Sequence, residues 1–220
     1  DTALNLETDA GTYTAGKNIV VTDAASISQL TAIDSANVGG TLTYTTVSDT
    51  ALNLATNTGG YVDAGKNVVV TGAATVAQLT TIDGLNTNGA LTYTAITDAT
   101  SSLVNADGLG LSGYVTGSVA VTVNTTSTIA QLSALDQATT GTLTYTSITD
   151  TASNLATDAG TYVVASHDVT VTDAATIAQL TAIDGLANTV TYTTVTDTAL
   201  NLATDAATNT DAGTYTTGKN

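Results

Sequence analysis

Four aspartates, Asp49, Asp98, Asp150 and Asp197, return at intervals of 49, 52 and 47 residues, each at the end of a threonine-rich run. A second set, Asp34, Asp83, Asp136 and Asp184, recurs in step with them. Periodic carboxylates suit two kinds of chemistry. Together with carbonyl oxygens they can hold Ca²⁺, a hard cation that takes oxygen ligands. They can also cap helices and close Asx turns by accepting backbone N–H groups. The first use makes Asp49, Asp98, Asp150 and Asp197 the candidate calcium ligands, and Ca²⁺ the one cofactor the chain suggests. The second is favoured by irregular columns: Asp23 and Asp173 mark a third position that Gly72 breaks. Neither a GGxGxD nonapeptide nor an EF-hand loop is present.

Catalysis has little to work with. His167 is the one histidine, flanked by Ser166 and Asp168, and three consecutive residues cannot converge as nucleophile, base and orienting acid. One histidine without cysteine excludes the familiar zinc and transition-metal ligand sets. The acidic residues are spread periodically rather than paired in one copy, so no enzyme is expected. His167 reads as a turn residue standing where other copies have Lys17 and Lys66.

The elements that must position these groups come from a chain of 220 residues carrying 19 acidic residues against 3 lysines, a formal charge of −16. Nothing in it can neutralise phosphates, which argues against a nucleic-acid partner. Phe, Trp, Met, Cys and Pro are absent, so a core must come from Val, Ile, Leu, Ala and nine tyrosines. Threonine supplies 52 residues, the makings of many exposed strand positions. No apolar run approaches the roughly 18 residues of a membrane helix, so membrane insertion is not expected.

Internal repetition sets the architecture. TLTYTTVSDT (41–50) returns as ALTYTAITDA (90–99), TLTYTSITDT (142–151) and TVTYTTVTDT (189–198); SISQLTAID (26–34) returns as TVAQLTTID (75–83), TIAQLSALD (128–136) and TIAQLTAID (176–184). About four and a half copies of a repeat near 48 residues result, at 1–48, 49–97, 98–149, 150–196 and 197–220. Each copy is internally doubled into strand-plus-helix halves of about 24 residues.

LTYTTV alternates apolar and polar positions as a half-buried strand does. Ser26, Thr75, Thr128 and Thr176 each precede a glutamine by three residues, the spacing of a capping box, and open short helices in which apolar residues such as Ile177, Leu180 and Ile183 recur every three residues, with Gly185 placed to end the last. TASNLATDAG (151–160) reads as a weaker element, a single turn. Units this small bury their apolar faces only by stacking. The expected fold is therefore one parallel, right-handed β-solenoid with short helices or helical turns in its coils, with an all-β helix as the alternative. Insertions around Leu109–Leu111 and in AATNTDAG (206–213) are expected to project as loops. The tyrosines should stack as core ladders, one through Tyr44, Tyr93, Tyr145 and Tyr192, another through Tyr13, Tyr61, Tyr114, Tyr162 and Tyr215.

VTVTDAATIAQLTAIDG (169–185) and LTYTSITDTASNLATDAG (143–160) resemble the repeat tracts of giant secreted bacterial surface proteins, including adhesins of marine and cyanobacterial type. The resemblance covers essentially the whole chain. It implies an extracellular or cell-surface setting and a structural or adhesive role, and it carries over no binding residue. The expected function is a structural repeat segment of an extracellular filament, stalk or surface layer, part of a longer chain or fibre and self-associating end to end or laterally. The alternative is a surface binding module for carbohydrate or ice. For ice, the pairs Thr43/Thr45, Thr92/Thr94, Thr144/Thr146 and Thr191/Thr193 resemble the Thr-x-Thr ranks of ice-binding proteins.

Overall fold

Strands and helices alternate along the chain because the two residue patterns do. The computed structural model describes residues 1–9, 13–104, 111–158, 160–207 and 215–218. Two units emerge. Unit 1 (Asp1–Asp98 with Thr116–Ala120) holds α1 (Ala3–Thr8), β1 (Ile19–Val20), α2 (Ile27–Ala36), β2 (Leu42–Thr43), β3 (Thr46–Thr50), α3 (Ala51–Thr56), β4 (Asn67–Thr71), β5 (Ala73–Ala74), α4 (Val76–Leu85), β6 (Leu91–Thr92) and β7 (Ala95–Asp98). Unit 2 (Ala99–Val115 with Val121–Asn220) holds α5 (Thr100–Leu103), all but the first residue of β8 (Ala120–Val123), α6 (Ile129–Ala138), β9 (Leu143–Thr144), β10 (Ser147–Asp150), α7 (Ala152–Thr157), β11 (Asp168–Val171), α8 (Ile177–Asp184), β12 (Thr189–Thr191) and α9 (Ala199–Ala207).

All four capping boxes form. Ser26, Thr75, Thr128 and Thr176 accept from the N–H of Gln29, Gln78, Gln131 and Gln179, whose Oε1 atoms accept the cap residues' own N–H in return. Gly185 caps the end of α8, as its place in the sequence suggests. Behind the caps, Leu30 with Ile33, Leu79 with Ile82, Leu132 with Leu135 and Leu180 with Ile183 are buried on one helix side. The weaker element forms as well: α7 runs six residues, with Ala152 and Leu155 buried.

Strand pairing is parallel and each partner lies just over twenty residues on. Ile19 faces Leu42 and Val47 faces Val68 in unit 1; Ile148 faces Val169, and Val169 faces Val190, in unit 2. Parallel neighbours need a crossover, and each is filled by a helix. Alternate strand residues point inward, so Val68 and Val70, Val121 and Val123, and Val169 and Val171 are buried.

This is a mixed α/β fold, which overturns the expected β-solenoid and the all-β helix together. Among the described residues nine helices alternate with strands of only two to five residues, in short parallel sheets of two to four strands. The physical reason is the division of each crossover. Helices of eight to ten residues with a fully buried Leu/Ile side take up much of it. Too little chain is left for the long flat sheets of a solenoid. The filament and adhesin terms that followed from stacked β-coils lose that basis, and the fold supports neither them nor an extracellular setting.

Of the expected projecting loops, only Leu111, Ala206 and Ala207 lie within the described residues. The tyrosine ladders are also corrected, since Tyr13 is 82% exposed and other tyrosines meet in pairs.

One core position is mismatched. Val62, Val115 and Val163 are buried, and Thr14, in the matching place of the first repeat, is buried too, with no partner for its hydroxyl. Replacing Thr14 by valine keeps the shape and removes an unpaired polar group, which should stabilise unit 1 by about 1 kcal/mol. Chemical denaturation monitored by circular dichroism checks this; a loss of stability would show that the hydroxyl has a partner in solution.

Candidate functional site

The recurrent aspartates converge on helix N-termini. In unit 1, Asp49 Oδ2 accepts from the N–H of Ile27 at 3.1 Å, the first residue of α2. Its Oδ1 accepts from Thr50 N–H at 2.7 Å and from Asn53 Nδ2 at 2.8 Å, at the start of α3. One carboxylate thus serves two helices, one following it and one some twenty residues earlier. Asp150 does the same in unit 2, taking Ile129 N–H at 3.0 Å, Thr151 N–H at 2.8 Å and Asn154 Nδ2 at 2.7 Å. Asp197 takes Ile177 N–H at 3.0 Å, Thr198 N–H at 2.8 Å and Asn201 Nδ2 at 2.7 Å. Asp98 Oδ2 takes Val76 N–H at 2.9 Å. Helix N-termini present unpaired N–H groups and partial positive charge, so a carboxylate is well placed there.

The third aspartate position caps the short helices. Asp23 Oδ1 accepts from Ala3 N–H and Asp173 Oδ1 from Ala152 N–H, both at 2.7 Å. Thr125 Oγ1 does this for Thr100 N–H at 2.9 Å. Gly72 holds the matching place in the second repeat with φ +78°, a conformation that favours glycine over aspartate. Among the described residues no three His, Asp or Glu side chains gather as a metal cluster. Asp49, Asp98, Asp150 and Asp197 therefore each sit at a separate helix junction.

Hydrogen bonding tunes Asp197, and Asp168 outside these sets. The Asn201 amide first and the Thr198 N–H second hold the Asp197 carboxyl below its ordinary range, against burial, with the Ile177 N–H adding less than burial takes away. Asp168 is likewise lowered, by the Thr189 hydroxyl first and the Asn188 amide second.

The second aspartate set meets the tyrosines. Tyr44 donates to the Tyr61 carbonyl at 2.9 Å, their rings meet edge to face, and Tyr61 OH reaches Asp34 Oδ2 at 3.5 Å. Unit 2 repeats the arrangement with Tyr145, Tyr162 and Asp136, and again with Tyr192, Tyr215 and Asp184. Burial first, then nearby negative charge, pushes the Tyr44 and Tyr145 phenols up to about 12. They are hydrogen-bond donors across the physiological range.

His167 replaces a cation. Lys66 lies with Nζ 4.4 Å from the centre of the Tyr44 ring and donates to the Tyr44 carbonyl at 3.0 Å. At the matching place in unit 2 the His167 ring stacks on Tyr145 at 4.1 Å, with Nδ1 buried and unpartnered and Nε2 3.5 Å from Ser166 Oγ. Burial lowers the His167 pKa, and the Asp168 charge opposes this less strongly. A lowered folded-state value favours the neutral ring, so its contribution is complete above the unfolded value near 6.5 and is lost as pH falls below it. The melting temperature of unit 2 should fall between pH 7.5 and 5.5, above the range in which the lowered carboxyls titrate. His167→Lys, which restores the residue type of the second repeat, should remove that slope; an unchanged slope would place its origin elsewhere.

Sequence reasoning found the aspartate columns and the capping boxes. It missed the partners Asn53, Asn154 and Asn201, although Asp-Thr-Ala-x-Asn recurs at 1–5, 49–53, 150–154 and 197–201 and was the signal available. The arrangement offers hydrogen-bond acceptors to backbone, repeated almost unchanged. No family model, curated protein or solved structure matches the chain.

Proposed function

We propose that the chain is a structural repeat segment of a cell-surface or extracellular assembly, self-associating through the edges of its short parallel sheets. The observation that carries this reading is the reuse of the aspartate junction at Asp49, Asp150 and Asp197, where the conspicuous carboxylates serve helix ends. Polar groups spent on internal joints are what a scaffold needs. A strand edge supports the mode of contact: among the described residues β12 is paired on one side, by β11, and an unpaired edge is a template for another strand. The surface setting rests on the sequence resemblance alone.

Copies of charge −16 repel one another, so association should strengthen as salt screens them. Sedimentation velocity from 0.02 to 0.5 M salt should show mass growing with concentration and ionic strength. Val190→Pro, which places a residue without an N–H in β12, should weaken association at least tenfold while helix content is kept. A monomer at every salt concentration would sink the reading.

A surface binding module is the second reading, supported by threonine placement. Thr43, Thr45, Thr92, Thr94, Thr144, Thr146, Thr191 and Thr193 are all exposed. In unit 2, Thr149, Thr170 and Thr191 stand in register across three parallel strands, about 4.8 Å apart from strand to strand. Thermal-hysteresis measurement tests the ice form of this reading, and a glycan array the carbohydrate form.

A further inference from the structure

We infer that the partner in self-association is a second copy of this chain whose residues 1–18 take the place of residues 197–220 of the first. The inference rests on the self-association proposed above and names the segments that carry it. DTALNLETDAGTYTAGKN (1–18) returns as DTALNLATDA (197–206) and GTYTTGKN (213–220), differing only at Glu7 against Ala203, at Ala15 against Thr217 and by the inserted residues 207–212. A seat that holds one segment therefore suits the other. Such an exchange costs little, because contacts given up within one copy are made again between copies.

The seat is defined by Asp197 and Tyr215 in unit 2. Asp197 accepts the Ile177 N–H of α8, Tyr192 donates to the Tyr215 carbonyl at 3.0 Å, and Tyr215 OH reaches Asp184 Oδ2 at 3.3 Å. The N-terminal segment carries the same groups. Asp1 Oδ1 accepts from Thr2 N–H at 2.8 Å and from Asn5 Nδ2 at 2.9 Å, as Asp197 does from Thr198 and Asn201. Tyr13 is 82% exposed, whereas Tyr215 is half-buried. On the seat of another copy, Tyr13 would meet Tyr192 and Asp184, and Asp1 would cap α8.

The incoming copy brings more than the segment it displaces. Ala3 at the start of α1 is buried and capped by Asp23, whereas Ala199 at the start of α9 is exposed. Behind α1 comes β1, and the register that joins β3 to β4 and β10 to β11 would set Val195 opposite Ile19 and Thr196 opposite Val20. Both edges are short of a neighbour. β1 spans two residues where β4 spans five and β11 four, and Val195 is half-buried where Val47 and Ile148 are 0% exposed. Asn67 N–H donates to the Thr45 carbonyl at 2.8 Å and Asp168 N–H to the Thr146 carbonyl at 3.1 Å; the matching bond would run from Asn18 of the incoming copy to the Thr193 carbonyl. Strand pairing is thus the net gain of the exchange.

Hydrogen exchange on the full wild-type chain, followed by mass spectrometry at low and high protein concentration, reads this directly. Association should protect the Asn18 amide and at the same time release the amides of α9, which loses its seat. Association without release of α9 overturns the exchange and leaves contact through sheet edges standing; a chain that stays monomeric removes both. Two variants of the full chain should move in opposite directions. Tyr13→Ala weakens the incoming segment and should weaken association about tenfold, whereas Tyr215→Ala weakens the resident one and should strengthen association by a similar factor, read by sedimentation velocity. Equal effects of the two, or none, overturn the inference. Should either variant fail to fold, the wild-type exchange pattern decides.

Discussion

Replacing Asp150 by alanine is expected to destabilise unit 2 by about 3 kcal/mol, because charge-assisted hydrogen bonds are worth about 1.5–3 kcal/mol each and a lost cap about 1 kcal/mol. The carboxylate is only 8% exposed and accepts three hydrogen bonds, from the starts of α6 and α7 and from Asn154. Alanine strands the two backbone donors where water reaches them poorly. At the usual entropy of unfolding for a protein of this size, the melting temperature of unit 2 should drop by about 10 °C, read by differential scanning calorimetry. Asp150→Asn should retain part of the loss, since one oxygen still accepts while the amide N–H₂ faces donors. A drop below about 2 °C for alanine would mean that these caps contribute little. A wild-type melting temperature raised by Ca²⁺, with the rise abolished in Asp150→Ala, would instead assign the carboxylate to a metal.

Gly89→Ala is expected to destabilise unit 1 by about 2–3 kcal/mol, the range of an overpacked site. The glycine is not needed for its backbone angles here; the obstacle is space. Its added Cβ meets the Lys66 backbone carbonyl, which belongs to the approach to β4 and cannot yield without shifting that strand. Gly84→Ala supplies the control. Gly84 lies within α4 with nothing near its missing Cβ, so alanine there should stabilise by about 0.5–1 kcal/mol through helix propensity. An unchanged or raised stability for Gly89→Ala, measured by urea denaturation beside the Gly84→Ala control, would show that the turn at Gly89 relaxes freely.

Much of the local structure was legible in the residues. Ser26 with Gln29, and its three counterparts, state the start of each long helix, because both partners of the capping box lie within one turn. The alternation in LTYTTV places Thr43 and Thr45 outside, but the single strand it suggests is broken at Tyr44 and Thr45 into β2, paired with β1, and β3, paired with β4. What stayed hidden depends on which segments lie side by side. That Asp49 reaches Ile27, or Thr125 reaches Thr100, follows only once parallel strands just over twenty residues apart are in register, and no spacing rule within a helix or strand contains that information. The fold class was misread for a related reason. Apolar periodicity marked the helices, but not that their buried Leu/Ile sides would make them a full layer rather than ornaments on a β-coil. Tyr13 shows the limit of reading repeats as equivalent, being exposed where Tyr61 is buried.

The placement of Asp49, Asp150 and Asp197 gives the polypeptide a direction. A helix such as α2 or α6 cannot acquire its last acceptor until some twenty further residues have been added, so order should propagate during synthesis with a fixed lag, each portion remaining provisional until its successor emerges. Fraying should run the opposite way, the loss of a later portion loosening the one before it.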